Sequence, residues 1–180
     1  MQNLHKYGIY AFKLPSILSC IMTLLTKEPV KRAESYLKKY DKNIKIISLD
    51  TSARTAKEAA NSLKCDVGAI VKSLLFRADK HFILSLISGD KKASLNKLKK
   101  ILNITDIEMA KAEDVKEITG YTIGGVSPVG HLNKINIFID NSLERFTSLF
   151  AAAGHPNCVF KINFTDLQKI TNGSIKEITE

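Results

Sequence analysis

The stretch Ala69-Ile70-Val71-Lys72-Ser73-Leu74-Leu75-Phe76-Arg77, then Ala78-Asp79-Lys80, then His81-Phe82-Ile83-Leu84-Ser85-Leu86-Ile87, reads as two β-strands joined by a short turn. It is the clearest hairpin in the chain, and Gly89-Asp90 ends it. Along the first strand, residues 70, 72, 74 and 76 face one way and 71, 73 and 75 the other. Both faces are mainly apolar, the pattern of a central strand covered on both sides. Lys72 breaks that pattern. An unpaired buried ammonium is costly. The lysine therefore either snorkels, with its stem buried and its amine in water, or points into a pocket that binds an anionic or ester-bearing ligand.

Helical patterns surround this hairpin. Thr26 is expected to cap a helix with Pro29 near its first turn, and Val30, Ala33, Leu37 and Tyr40 recur on its apolar side. Lys31, Arg32, Lys38 and Lys39 fall elsewhere on that helix, as a solvated face. Ile44–Ser48 reads as a short strand. Thr55–Lys64 reads as a helix with Thr55 and Glu58 as a capping box and Ala56, Ala59, Ala60 and Leu63 on its buried side. Ser94–Leu102 and Ala112–Thr119 are further helices, the second stopped by Gly120. Strands are expected at Asn136–Asp140, Thr147–Ala151 and Cys158–Ile162, the last two around the turn Gly154-His155-Pro156-Asn157. Phe164–Thr171 closes as a helix with Gly173 past its end. Paired strands interleaved with helices, without regular βαβ alternation, predict an α+β fold with a mixed, largely antiparallel sheet flanked by helices.

Composition agrees with one domain. The chain has 180 residues, 44% hydrophobic and 25% charged, enough for a single sizeable core. Its net charge of +9 suits a polyanionic partner and equally suits a basic protein with none. Cys20, Cys65 and Cys158 are too few and too widely spaced for a disulfide framework or a zinc site, which fits a reducing compartment. The apolar run Ile17–Leu25 is too short for a membrane span. As a signal peptide it has Pro15 in front and no small-residue cleavage site behind; Leu18-Ser19-Cys20 resembles a lipoprotein site only faintly. The reading adopted is that Met22 is the true start. Residues 1–26 are then an N-terminal extension set apart from a domain of 27–180, with no stable membrane association.

A glycine-dense loop carries the chemistry: Gly120-Tyr121-Thr122-Ile123-Gly124-Gly125-Val126-Ser127-Pro128-Val129-Gly130-His131. Its glycines can take positive φ and let a ligand reach the backbone. Several amides can then face one oxygen. It is neither a P-loop nor a dinucleotide loop, since no Gly-Lys-Ser/Thr follows and no helix opens after it.

Gly124-Gly125-Val126-Ser127-Pro128-Val129-Gly130 resembles the GxxxP-type loop of the YbaK/ProXp family of aminoacyl-tRNA deacylases and of the related editing domain of bacterial prolyl-tRNA synthetases. Lys72 in Val71-Lys72-Ser73-Leu74-Leu75 is similar to that family's strand lysine. Thr55–Ala60 resembles its early helix, and Phe138–Leu143 its strand ending in aspartate. The likeness runs in order from about residue 30 to the C-terminus. It implies hydrolysis, in trans, of the ester of mischarged aminoacyl-tRNA, with tRNA(Pro) carrying Cys, Ala or a similar small amino acid as substrate. It implies no metal and no cofactor, a cytoplasmic location, and aminoacyl-tRNA (its 3′ acceptor end) and prolyl-tRNA synthetase as partners. Lys72, Gly124 and Gly125 would be catalytic: the lysine at the terminal adenosine or its phosphate, and amides of 124–126 on the aminoacyl carbonyl. Val126, Ser127, Pro128, Gly130, Asp140 and His155 would bind substrate. The attacking group would be water or, in a cysteine-specific branch, the substrate's own thiol. A non-catalytic tRNA- or synthetase-binding module with the same pocket is the alternative.

Some residues keep two readings. His155-Pro156 is similar to a step lining the pocket in the alanine-specific branch, although the loop looks closer to YbaK; His155 equally reads as a surface turn. His131 follows the loop and is open in the same way. Asp140 reads as a turn cap or a pocket-rim residue. Lys91, Lys92, Lys97, Lys99 and Lys100 suit phosphate contacts or a solvated helix face.

Overall fold

The computed structural model describes residues 23–49 and 55–180. The readings placed on residues 1–22 lie outside them. Leu24 and Leu25, on the N-terminal side of the expected domain boundary, pack partly buried against the main core.

In chain order the elements are α1 (Glu28–Tyr40), β1 (Ile46–Ser48), α2 (Ala56–Leu63), β2 (Ile70–Ala78), β3 (His81–Ser88), α3 (Leu95–Leu102), β4 (Ile107–Met109), α4 (Ala112–Thr119), β5 (Asn136–Asp140), β6 (Leu149–His155), β7 (Cys158–Ile162), α5 (Phe164–Thr171) and β8 (Ser174–Lys176). Short 3₁₀ turns at Val67–Ala69 and Asn141–Arg145 lead into β2 and out of β5. The fold is α+β with one mixed sheet ordered β1-β7-β6-β2-β3-β5-β8, and β4 joins the same edge of β2 as β6. Four of the seven ladders are antiparallel: β1/β7, β6/β7, β2/β3 and β2/β4.

The central hairpin pairs Val71 with Ser88 through Ala78 with His81. One face of the sheet packs on α1, α4, α5 and the glycine loop, through Val30, Leu37, Leu75, Leu86, Tyr121 and Leu167. The other face carries two separate clusters. One lies under α3, around Phe76, Ile87 and Leu98. The other lies under α2, around Ala59, Ala60 and Ile70. Lys72 lies on this second face, between Ile70 of one cluster and Phe76 of the other.

Several local expectations shift. The first helix is capped at Lys27 without a side-chain bond, and the Thr26 hydroxyl donates to Thr23 O instead. Tyr40 leaves the apolar stripe, is largely exposed, and donates to Asp166 Oδ1 at 2.7 Å. The Thr55–Glu58 capping box forms in both directions, at 3.2 and 3.1 Å. β6 begins two residues later than expected and runs on through His155, so the turn shrinks to Pro156-Asn157. β4 and β8, three residues each, carry too few positions for alternation to reveal them.

Candidate active site

The site begins with a split strand edge. β6 pairs with β2 only at Ile70 and Val71, and β4 only from Phe76 to Ala78. Leu75 O accepts from Ala110 N at 3.0 Å. Among the described residues, 72–74 therefore have no strand partner on this edge. The cause lies in β6, whose register breaks between Ala152 and His155. There Gly154 takes φ +87°, and a Cβ on it would stand 2.4 Å from Pro29 O. The bulge turns β6 away from β2. A pocket of about 600 Å³ opens in the gap, a size that takes a small ligand.

Lys72, Gly124 and Val126 all line this pocket, with Pro156 beside them. Among the described residues, the only ionisable side chains in the lining are Lys57, from α2, and Lys72. The remainder is mainly apolar, and Met109 and Ile123 stay 55% and 64% exposed at its rim. Such a cavity suits a neutral or anionic group with a carbonyl.

Lys72 is half-buried, and its Nζ donates to the Lys91 carbonyl. Burial pushes its pKa below the ordinary lysine value; nearby Asp90 opposes that shift and Lys92 adds to it. The Gly89–Lys91 turn is itself anchored. Arg145 Nη2 reaches both Asp90 oxygens, at 2.9 and 3.1 Å, and Ser88 Oγ at 3.0 Å. The Arg145 hydrogen bond is the main reason the Asp90 carboxyl sits below its usual range.

The glycine loop is held from behind. α4 ends with Gly120 at φ +75°. Gly125 N donates to Thr122 O at 2.9 Å, closing a turn in which Gly124 takes φ +84°, the left-handed third position that favours glycine. Gly125 packs on the His155 backbone, where a Cβ would come within 2.9 Å of its Cα. Buried Tyr121 donates its hydroxyl to Val129 O at 2.8 Å. Arg32 Nε donates to Gly130 O at 2.8 Å and Nη2 to Gly120 O at 3.0 Å, so one guanidinium ties both ends of the loop. It also lies 4.7 Å over the Tyr121 ring and pairs with Glu28 at 2.9 Å. Arg32 thus leaves the solvated face assigned to it and braces the loop, its side chain only 16% exposed. His131 Nε2 meets Ser127 O at 2.7 Å, and burial lowers its pKa, which keeps the ring neutral with Nε2–H as donor.

The sequence-derived residues thus separate into groups. Lys72, Gly124 and Val126 meet at the pocket. The Gly125 N–H is already donated to Thr122 O, whereas among the described residues the main-chain N–H groups of the pocket-lining Ile123, Gly124 and Val126 make no hydrogen bond. Ser127, Pro128 and Gly130 are buried within the braced segment. His155 flanks it: Nδ1 accepts from Asn157 N at 3.1 Å, which puts the proton on Nε2, and Lys27 Nζ stands 3.5 Å from Nε2. Burial, then Lys27, lowers its pKa. Asp140 does not line this pocket. Fully buried, it accepts from Ser142 N at 3.1 Å, Ile178 N at 2.8 Å and Thr179 Oγ1 at 3.2 Å. Lys97 is drawn to Glu177 Oε1 at 2.5 Å and Thr179 O at 2.7 Å.

The pocket is mostly apolar, with Lys57, Lys72 and residues of the glycine loop in its lining. The comparisons give the chain a family. The profile of the aminoacyl-tRNA editing domain matches residues 50–170, and the chain belongs to that family. A proline–tRNA ligase of Caldicellulosiruptor saccharolyticus is 32% identical over 130 residues, which is 72% of this chain and 22% of the ligase. The chain thus spans about a fifth of such ligases. YwhH of Bacillus subtilis, an uncharacterized protein, is 27% identical over 79% of this chain and 90% of its own length. A crystal structure presented as a candidate trans-editing enzyme for prolyl tRNA synthetase superposes with a TM-score of 0.81 at 33% identity, covering 86% of this chain and 98% of the other. Among the described residues no helix is long and apolar enough to cross a membrane.

Proposed function

We propose that this chain is a trans-editing hydrolase that cleaves the ester of mischarged aminoacyl-tRNA, with Cys- or Ala-tRNA(Pro) as substrate. One observation carries the reading: Lys72 lines the same pocket as Gly124 and Val126, whose main-chain N–H groups make no hydrogen bond among the described residues. The lysine holds the terminal adenosine or its phosphate, and the loop amides polarise the acyl carbonyl and stabilise the oxyanion. Water adds to the carbonyl carbon; the bond to the ribose oxygen then breaks and that oxygen takes a proton. With a cysteinyl ester, the substrate thiol can take the place of water. Arg32, Tyr121 and His131 hold the loop so that its donors are set before substrate arrives. The lining accounts for small side chains through its apolar walls, and Lys57, Lys72 and the lysines near α3 account for affinity to the acceptor end. An enzyme of this kind works in the cytoplasm beside prolyl-tRNA synthetase.

The test is deacylation of Ala- and Cys-tRNA(Pro) by wild type and Lys72→Ala. Wild type should release the amino acid, and the variant should be slower by about 100-fold, the size of losing one oxyanion or substrate-fixing donor. Wild type that hydrolyses no small aminoacyl ester sinks the reading, and tRNA binding without turnover would make the chain a binding module.

A further inference from the structure

The middle of β2 has a property that the lysine and the loop do not explain. β2 is central, yet its burial is interrupted at residues 72–74, with buried positions on either side. The interruption coincides with the gap between β6 and β4. In a strand, the N–H and C=O of one residue point to the same edge, and successive residues alternate edges. Leu75 directs its carbonyl to Ala110, on the β4 side. Ser73 is two residues earlier, so its N–H and C=O both face the gap. Across the hairpin it sits opposite Leu86, in a pair that by this parity exchanges no main-chain bonds. The Ser73 hydroxyl is also buried without a partner. Among the described residues, a central strand thus offers the pocket one complete, unused donor–acceptor pair. Buried main-chain groups are almost always paired, so an edge left open in mid-sheet marks a place for a ligand.

We propose that the aminoacyl group docks on Ser73 as a one-residue antiparallel strand partner. In such a pair one residue gives its N–H to the other's carbonyl and receives the other's N–H on its own. An amino acid esterified through its carboxyl still carries both groups: an amine that donates to Ser73 O, and an acyl carbonyl that accepts from Ser73 N. The carbonyl oxygen has two lone pairs, so Ser73 takes one and a loop amide, of Gly124 or Val126, the other. Among the described residues the lining side chains include no carboxylate, which makes this main-chain carbonyl the acceptor for the amine. The subsite reads the part common to all α-amino acids, which leaves discrimination among side chains to the apolar walls. It rests on the deacylase reading and adds to it a recognition element for the free α-amine.

The experiment uses two non-hydrolysable probes on the full chain: the alanyl amide and the propionyl amide of 3′-amino-3′-deoxyadenosine, which differ only in the α-amine. Binding is titrated, and amide exchange and chemical shifts are followed by NMR. The alanyl probe should slow exchange of the Ser73 amide and bind about tenfold more tightly than the propionyl probe, the effect of one lost hydrogen bond. Equal affinities, or shifts at Gly124 and Val126 with none at Ser73, would overturn the subsite and leave the deacylase reading standing. If neither probe binds, both are overturned.

Discussion

Lys72 is placed where a lysine costs stability. It stands on a sheet face between two apolar clusters, with a carbonyl rather than a carboxylate as its acceptor. Its pKa is depressed, chiefly by burial, so the folded protein holds this proton less tightly than the unfolded chain. Stability must then rise with pH between the depressed pKa and the ordinary lysine value, and the charged form is a liability below that window. Lys72→Met should therefore melt higher than wild type at pH 7. It should also lose turnover. The melting difference should shrink as the pH climbs through the lysine range, and a variant that melts lower at pH 7 would contradict this account. Cys158 is the counterexample of an ordinary core residue: burial pushes its thiol up to about 11, which leaves it a small hydrophobe.

Gly154 shows how one element makes room for another. Its positive φ and its contact with Pro29 are both closed to a larger residue. Gly154→Ala should cost at least about 2 kcal/mol in urea unfolding, from backbone strain and overlap together. A neutral result would mean that the bulge is not what parts β6 from β2. The bulge also shows where sequence reading stops. The hairpin, the α2 capping box and the α4 stop at Gly120 were legible because each depends on residues close together in the chain. Lys72 and the glycine loop were legible as a break in pattern and as a backbone cue. The open edge at Ser73 was not, because it depends on where two distant strands stop pairing. Arg32 was hidden for a related reason. Helical position made it look solvated, while its acceptors, Gly120 O and Gly130 O, lie about ninety residues away.

At the scale of the molecule, Asp140 closes the far side of the sheet. Its carboxylate collects donors from Ser142, Ile178 and Thr179, and fully buried Ile178 completes the cluster under α3. Asp140→Ala should cost about 3 kcal/mol by stranding these donors. The folded variant should keep the wild-type KM for aminoacyl-tRNA; a raised KM with unchanged stability would return Asp140 to the pocket. Free strand edges recruit other chains and seed aggregates. The free edge of β2 spans three residues, roughly 10 Å at strand spacing, and is bounded at both ends by β6 and β4. Nothing as long as a foreign strand can lie down in it. The protein carries an unsatisfied edge in mid-sheet, yet the gap's own length guards it against self-association.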